Sequence, residues 1–439
     1  MSRKLKILCL LLAAALLSGC SLRTVDQLYC LPKRSQEHAN LQTIIDRCMT
    51  DLSYCAPLSG ENPQTVQIAD LEGDGVEEYL VFAKGGEEKP LNILIFRMEG
   101  KQYVLSDTIV SAGSAFDLVE YAHMDDYPGC ELIVGCQVSE QLTRSVSVYR
   151  FADGKAEQLL NANYTRFLTC DLDENGREEL MVLHPGESDE SNGVAELYSY
   201  YGGAMERSNQ VSMSASVDHM KRIVEGKLQG GQAGIYVAST TGEMATVTDV
   251  FTLDRGLFVN AATSSSADTL VQTLGNYYVY PADIDDDGIM ELPRLVNMEL
   301  PGGDSFHGAQ YLIRWYAITP SGAEAVKYYT YHNFQGGWYL SLDNSWAPRM
   351  AAVQREGGFD FYIWTQVFDR AQKVFSINSY IGEDRQERAE KDGKVVLLKN
   401  DTILYAAALE PEAGAFGITQ ETLIGSFHLI HQDWKIGEK

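Results

Sequence analysis

Basic residues are scarce in this 439-residue chain, in which 35 lysines and arginines stand against 61 aspartates and glutamates. The formal net charge of −26 argues against nucleic acid and anionic lipid headgroups as partners, because both would be repelled electrostatically. Such a surface suits divalent cations and neutral or cationic ligands instead.

Residue pairs at zinc-binding or nucleophilic spacing are missing as well. The eight histidines are scattered, and the chain has no C-x-x-C pair and no H-E-x-x-H segment. A G-x-S-x-G nucleophile elbow is also lacking, since Ser305 and His307 in GGDSFHG lie in an expected hairpin insertion. We therefore predict no catalytic residue. Carboxylates that meet only in the folded chain stay open as an enzymatic alternative.

Cysteine is sparse, with eight residues in the whole chain. An even number in an exported protein permits disulfides, and the sequence does not distinguish bridged cysteines from buried free thiols. Beyond Cys9 and Cys20 the cysteines are Cys30, Cys48, Cys55, Cys130, Cys136 and Cys170.

Long apolar runs are absent except at the start, MSRKLKILCLLLAAALLSGC, where a basic segment precedes Ile7–Leu17. This layout predicts a signal peptide over residues 1–19, too short for a membrane span. Leu17-Ser18-Gly19-Cys20 resembles the bacterial lipobox, with an ordinary signal peptide as the alternative. The resemblance implies cleavage before Cys20, diacylglycerol and palmitate on the lipidated cysteine, and a location at the extracytoplasmic face of a bacterial cell membrane.

An acidic segment recurs along the chain: DLEGDGVEEYLVF from Asp70, DLDENGREELMVL from Asp171 and DIDDDGIMELPRLV from Asp283. Each fits D-x-[DE]-x-[DN]-G-x-x-E and runs directly into apolar residues. Degenerate copies begin at His123 (HMDDYPGCELIVG) and Lys227 (KLQGGQAGIYVAS), so five starts fall at residues 70, 123, 171, 227 and 283. Self-similarity at a fixed period indicates a repeat architecture.

A second marker keeps the same phase, because a β-rich run ending in glycine follows each start. The runs are NILIFRMEG, SVSVYRFADG, AELYSYYG, TDVFTLDRG and YLIRWYAITPSG, and the late glycine of the last one predicts an insertion near residues 301–308. Each unit is predicted to form four strands, which in the first unit are 78–83, 93–98, 103–110 and 116–122.

This pattern predicts a mainly β fold, a β-propeller of about five four-stranded blades over residues 63–332. We expect the strand 65–69 to complete the fifth blade and so close the ring. An open stack, or six or seven blades, is the competing interpretation. An α+β domain, an antiparallel sheet with a helix on one face, is predicted over residues 333–439, ending in a terminal helix. Residues 20–62 are predicted to be a lipid-anchored tether with a short helix at 35–52.

The acidic loop turning straight into a strand resembles the FG-GAP or VCBS-type repeats of integrin alpha-chain propellers and bacterial surface proteins. The resemblance covers roughly residues 64–330 and is specific at three loops. It implies that the loop binds calcium at a blade edge and that the propeller is a binding scaffold rather than a reaction centre.

The residue types in these loops also suit calcium, which takes six to eight oxygen ligands at flexible geometry. Side chains at positions 1, 3, 5 and 9 would converge, the residue at position 7 would give its carbonyl, and glycine at position 6 permits the sharp turn. The predicted ligand sets are Asp283, Asp285, Asp287, Ile289 and Glu291; Asp171, Asp173, Asn175, Arg177 and Glu179; and Asp70, Glu72, Asp74, Val76 and Glu78.

The loops have two rival interpretations. An EF-hand needs a bidentate glutamate at position 12, where this chain has Val81, Val182 and Arg294, so it is excluded. Ordinary turn formation by Asp, Asn and Gly is the simpler alternative. The copies at 123 and 227 are expected to be turns without an ion. Any calcium is expected to be structural.

The function predicted from the sequence is that of a lipid-anchored extracytoplasmic binding or scaffold protein with a calcium-supported propeller. An enzyme that processes envelope polymers (glycan or peptide) and an accessory subunit of a membrane complex are the alternatives. A protein or glycan ligand is possible, and the C-terminal aromatic residues form either a sugar platform or a core. These residues are Trp338, Tyr339, Trp346, Tyr362 and Trp364.

Overall fold

The computed structural model describes residues 36–86, 90–138, 144–186, 192–242, 245–264, 271–272, 279–298, 311–365 and 370–430. The predicted signal peptide, Cys20, Cys30 and the 301–308 insertion lie outside this part of the chain. No helix within it is both long and apolar enough to cross a membrane.

The described residues form six antiparallel sheets in chain order, which we number sheets 1 to 6. Sheet 1 contains β1 (Ser53–Tyr54), β2 (Val66–Ala69), β3 (Glu78–Lys84), β4 (Leu91–Glu99) and β5 (Gln102–Ser111). Sheet 2 contains β6 (Ala115–Ala122), β7 (Glu131–Gln137), β8 (Arg144–Ala152) and β9 (Lys155–Tyr164). Sheet 3 contains β10 (Arg166–Cys170), β11 (Glu179–His184), β12 (Val194–Tyr201) and β13 (Ala204–Ser212).

The second half of the chain continues the pattern with five-stranded sheets. Sheet 4 contains β14 (Met220–Lys227), β15 (Ala233–Thr241), β16 (Ala245–Asp254), β17 (Leu257–Asn260) and β18 (Val271–Gln272). Sheet 5 contains β19 (Leu292–Asn297), β20 (Tyr311–Ile318), β21 (Glu324–Asn333), β22 (Trp338–Leu342) and β28 (Phe427–Leu429). Sheet 6 contains β23 (Met350–Arg355), β24 (Gly358–Trp364), β25 (Ala371–Ile381), β26 (Val395–Lys399) and β27 (Ile403–Leu409).

Short helices accompany the sheets. They are α1 (Gln36–Cys48), α2 (Ala261–Ser264), α3 (Arg385–Lys391) and α4 (Gln420–Gly425), with 3-10 turns at Val217–His219, Ala347–Arg349 and Pro411–Phe416. The predicted helix at 35–52 is therefore present and shorter at its C-terminal end. Thr419 begins α4 with a capping box, in which its side chain accepts from the Thr422 N–H.

Consecutive sheets pack face to face through apolar clusters. Leu80 and Phe82 of sheet 1 lie in one cluster with Phe116 and Leu132 of sheet 2, where the Phe82 and Phe116 rings meet edge to face at 5.1 Å. Comparable clusters join sheets 2 and 3, 3 and 4, 4 and 5, and 5 and 6. Because inner strands are covered on both faces, they are apolar at successive positions, as in ELMVLH of β11.

Helices cover the two outward faces of this array. Leu41 and Ile45 of α1 pack on Val81 and Phe96 of sheet 1. On sheet 6, Ala389 of α3 packs in one cluster with neighbours on β25 and β27. None of the apolar clusters formed by the described residues joins sheet 1 to sheet 6.

The predicted strand grouping is wrong by one strand. Strand β2, expected to complete the fifth unit, pairs with β3 in sheet 1, and 116–122 lies in β6 of sheet 2. The reason is that each acidic loop is a hairpin tip, so the strands before and after it pair with each other. Sheet 5 has its own fourth strand, β22, which was placed in the C-terminal domain.

The C-terminal region is also connected differently from the prediction. The expected boundary between residues 332 and 333 lies inside β21, and β28 returns to pair with β22 of sheet 5. The terminal helix is confined to α4, because Ser426 ends it and a strand follows. Sheet 6 is an antiparallel sheet with a helix on one face, and its other face shares a core with sheet 5.

Five cysteines within the described residues are free thiols, namely Cys48, Cys55, Cys130, Cys136 and Cys170. Burial raises the pKa of the Cys130 thiol to about 11 and that of Cys136 to about 12. Both thiols therefore stay protonated at neutral pH and behave as small apolar core groups.

Candidate metal centres

Four acidic loops, 70–78, 123–131, 171–179 and 283–291, occupy one topological position. Each one is a hairpin tip that joins two consecutive extended segments of its sheet, and the residue before the loop pairs with the glutamate at position 9. The pairs are Ala69 with Glu78, Ala122 with Glu131, Cys170 with Glu179, and Ala282 with Glu291. The settings of residues 171 and 283 are therefore equivalent.

The aspartate at position 1 organises the turn by accepting two backbone hydrogen bonds. In loop 171–179, Asn175 N–H donates to Asp171 Oδ1 at 3.0 Å and Gly176 N–H donates to Asp171 Oδ2 at 2.9 Å. Loops 70–78 and 283–291 contain the same two bonds. Position 6 lies at φ +83° in loop 70–78, +85° in 171–179 and +82° in 283–291, which is why glycine is needed there.

Position 4 also adopts the left-handed conformation, a feature that the sequence pattern did not reveal. Glu174 lies at φ 56° and Asp286 at φ 57°, and Gly73 occupies the same place in loop 70–78. The N–H at position 7 donates to the side chain at position 5 in these three loops, at 2.8 Å for Val76, 2.7 Å for Arg177 and 2.8 Å for Ile289. These bonds fix the side chain at position 5 on the inside of the turn.

The glutamate at position 9 is buried in every loop. Glu179 is 5% exposed and Glu291 0% exposed, and each accepts the position-2 N–H through Oε2, at 2.9 and 3.1 Å. Burial, together with the neighbouring loop carboxylates, raises the pKa of Glu179 to about 7 and that of Glu291 to about 8. The second oxygen of Glu291, Oε1, is buried without a hydrogen-bond partner.

Carboxylate oxygens converge in two of the loops. Those of Asp171, Asp173 and Glu179 all lie within 4.8 Å of one another, and so do those of Asp283, Asp285 and Asp287. Oxygen groups at this spacing suit a hard divalent cation. Burial and the adjacent Asp287 raise the pKa of Asp285. At Asp287 itself, burial is outweighed by the hydrogen bonds from Lys327 and a backbone N–H together with the Lys327 charge, so its pKa is lowered.

Loop 70–78 has the same backbone but a different arrangement of side chains. The longer Glu72 at position 3 accepts the Gly154 N–H at 3.0 Å and lies 3.8 Å from the Arg97 guanidinium. Among the described residues, the carboxylates of this loop do not form a cluster like the other two.

Each degenerate copy lacks some of the acids, and a basic side chain lies beside or within it. In loop 123–131, Asp125 is fully buried and pairs with Arg150 at 3.1 Å. In the copy at 227, Leu228 is fully buried, and Lys227 reaches Glu174 of the preceding loop at 3.3 Å. A third cation, Lys327 of β21, lies 3.0 Å from Asp287.

Neighbouring loops contact each other along one edge of the array. Glu178 N–H donates to the His123 carbonyl at 2.8 Å, and His123 N–H donates to Glu178 Oε2 at 3.0 Å. Lys227 forms a parallel bridge with Ile289 of the last loop. The acidic loops are therefore parts of one connected border rather than isolated turns.

Two sizeable cavities lie beside sheets 5 and 6. The larger, about 560 Å³, has an apolar floor that includes Trp346 and Leu423 and a polar rim that includes Lys327, Asn344 and Thr422. The smaller, about 330 Å³, lies between the two sheets and is rich in amides such as Asn333 and Asn378. Sequence reasoning did not find either cavity, because their walls come from distant segments.

The C-terminal aromatics mostly pack in the core. Trp338 is 2% exposed, Tyr339 8% and Trp346 7%, whereas Tyr362 and Trp364 are half-buried. The rings of Trp338 and Phe427 stack at 5.4 Å within the cluster that joins sheets 5 and 6. The core interpretation therefore accounts for three of the five aromatics. The Ser305 and His307 pair lies outside the described residues.

No family model and no curated protein matches the chain. Among solved structures, a protein from Lactobacillus plantarum is 10% identical, with 73% of this chain and 86% of that chain covered and a TM-score of 0.27. The exotype rhamnogalacturonan lyase YesX is 11% identical, with 70% and 60% covered and a TM-score of 0.25. An exo-beta-1,3-galactanase from Phanerochaete chrysosporium is 8% identical, with 75% and 80% covered and a TM-score of 0.24. Likeness at this level transfers neither activity nor substrate to this chain.

Proposed function

We propose that this chain is a lipid-anchored, extracytoplasmic binding or scaffold protein. Its sheets form a propeller-like array of FG-GAP-type units that calcium supports at the loop border. The observation that carries this proposal is the shared hairpin construction of loops 171–179 and 283–291, at equivalent places in two sheets. Each loop brings three carboxylates within 4.8 Å of one another, from positions 1, 3 and 9 in the first loop and from positions 1, 3 and 5 in the second. The lipobox-like Cys20 supports the anchored location.

The residues present fit a calcium ion. Asp171, Asp173 and Glu179 would hold one ion, with further oxygens from Asn175 and the Arg177 carbonyl. Asp283, Asp285, Asp287 and Glu291 would hold another, with the Ile289 carbonyl. The buried Oε1 of Glu291 without a hydrogen-bond partner is the specific sign of fit, because a buried polar oxygen without a partner is costly. The bound ion would neutralise the loop carboxylates and fix the hairpin that begins each sheet.

Binding is preferred to catalysis because of where the perturbed acids lie. Burial raises the pKa of Glu78 and Glu131 to about 7, as it does for the glutamates of the other loops. These groups belong to the loop border and not to the walls of the two cavities. An enzyme that processes envelope polymers would gather such acids in a cleft that holds its substrate. A ligand or partner would instead meet the cavities or the border.

Thermal unfolding of the mature full-length chain tests the calcium part of this proposal. A ligand that binds only the folded state stabilises it by about 2.7 kcal/mol at one hundred times its Kd. We expect chelator to lower the melting temperature relative to millimolar calcium, and Asp285→Ala to remove most of that difference. Magnesium at equal concentration is the control, since it demands a tighter octahedral shell. Equal melting temperatures in chelator and calcium would refute the proposal.

A further inference from the structure

One strand position faces all four acidic loops. The residue after each loop glutamate pairs across the sheet with an aromatic residue: Tyr79 with Phe96, Leu132 with Tyr149, Leu180 with Tyr198, and Leu292 with Tyr316. The residue following each aromatic therefore lies opposite a loop glutamate, and we call this place the facing position. It is occupied by Arg97, Arg150, Ser199 and Ala317 in loop order.

Arg150 shows what a cation does at the facing position. Its guanidinium, with a side chain 8% exposed, lies 3.1 Å from Oδ2 of the fully buried Asp125, the position-3 acid of its loop. The guanidinium also donates to the Tyr200 hydroxyl at 3.1 Å and lies 4.4 Å from the centre of the Tyr127 ring. Loop 123–131 therefore contains a protein cation beside its position-3 carboxylate.

Arg97 repeats this geometry more loosely. Its Nη1 lies 3.8 Å from Oε2 of Glu72, again the position-3 acid, while its Nη2 pairs with Glu99 at 2.8 Å. Two loops thus have a guanidinium at the facing position and pair it with the acid at position 3.

The other two loops have no charge at the facing position, where Ser199 and Ala317 stand. These are the loops whose carboxylates converge within 4.8 Å. In loop 283–291, Glu291 is 0% exposed and its Oε1 has no hydrogen-bond partner. The protein cation at this loop, Lys327, lies 3.0 Å from Asp287 and does not hydrogen-bond Glu291 Oε1. A bound cation would supply that oxygen with the positive charge that Lys327 does not provide.

We propose that the facing position decides which loops take a divalent cation. Arginine there acts as a resident cation and excludes the ion from loops 70–78 and 123–131. Serine and alanine leave room for one calcium ion in each of loops 171–179 and 283–291. This inference rests on the proposed calcium function and sharpens it, because it assigns two ions per chain and removes the third predicted site at Asp70.

Calorimetric titration of the mature full-length chain with calcium tests this assignment. We expect two ions per wild-type chain and one ion for Ser199→Arg, because the new guanidinium would reach Asp173 as Arg150 reaches Asp125. Ser199→Gln, long but uncharged, is the matched control and should keep two ions with affinities within about threefold of wild type. Ala317→Arg should remove the other site, and Arg97→Ser should add a third, weaker ion.

The outcomes separate the inference from the function on which it rests. Two ions in both wild type and Ser199→Arg, or three ions in wild type, would overturn the facing-position rule and leave calcium binding intact. No calcium bound by wild type would overturn both. Melting curves of each variant in chelator verify that the chain is folded, so a lost site is distinguished from a lost structure.

Discussion

Replacing Glu291 by glutamine separates the cost of its buried charge from the benefit of a bound ion. Burial raises the pKa of Glu291 from an ordinary value of 4.5 to about 8. A group with a raised folded-state pKa holds its proton in the folded protein while the unfolded chain has lost it. Without calcium, the folded wild-type protein therefore loses stability as the pH rises from 4.5 to about 8.

The size of this loss follows from the pKa shift. At about 1.4 kcal/mol for each pH unit between the two pKa values, ionised Glu291 costs the metal-free fold up to about 5 kcal/mol at pH 9. With an unfolding entropy of about 2.1 cal/mol/K per residue, a chain of roughly 400 residues melting as one unit would gain about 6 °C from Glu291→Gln. The glutamine oxygen can still accept the Ile284 N–H that now binds Oε2.

Scanning calorimetry at pH 5.5 and pH 9, in chelator and in calcium, measures both effects. In chelator, Glu291→Gln should melt slightly above wild type at pH 5.5, one unit above the ordinary pKa, and well above it at pH 9. In calcium at pH 9 the order should reverse, because glutamine is a weaker ligand. Glu131→Gln is the matched control: Glu131 is 1% exposed and has a pKa of about 7, but its loop contains Arg150, so its calcium response should equal that of wild type. If Glu291→Gln has the pH dependence of wild type in chelator, the argument from burial is refuted.

Two further predictions concern single contacts at the loops. Lys327→Met removes the ammonium that lies 3.0 Å from Asp287, so calcium affinity in titration calorimetry should rise about threefold, whereas Lys327→Arg should change it little. Unchanged affinity for Lys327→Met would show that the pair does not oppose the ion. Gly176→Ala meets no atom within 4 Å but forces alanine to φ +85°, so chemical denaturation should show a loss of about 1 kcal/mol. Gly425→Ala, which also meets no atom within 4 Å and has no positive φ, should lose nothing, and equal effects of the two substitutions would refute backbone strain as the cause.

The sequence predicted the local construction better than the pairing of strands. The acidic segments indicated hairpin tips before apolar strands, and the structure places residues 171 and 283 in equivalent turns. A loop pattern does not say which strand begins a sheet, and for this reason β2 was assigned to the wrong partner. Sheet 6 has no acidic loop, so the sequence repeat ends at the fifth unit and does not predict a sixth sheet.

The side chains that complete or neutralise the loops were only partly predictable. Positions 1, 3, 5 and 9 follow from the motif, but Lys327 approaches Asp287 from β21, forty residues away along the chain. The position of Arg150 could have been predicted from the sequence. Arg97, Arg150 and Ser199 each follow an aromatic residue at the same place in the β-rich runs that end in glycine. The cavities arise from tertiary packing of sheets 5 and 6 with α4, which no periodic pattern encodes.

The covering of the array's outward faces by α1 and α3 has a consequence for assembly. An exposed apolar sheet face promotes association, and in a modular β protein a sheet of a neighbouring molecule can pack on it. Leu41 and Ile45 pack on sheet 1, and Ala389 packs on sheet 6. The chain's own helices therefore cover the outward face of the first sheet and that of the last. A second molecule that approached either end of the series would therefore meet helix surface rather than a bare apolar sheet.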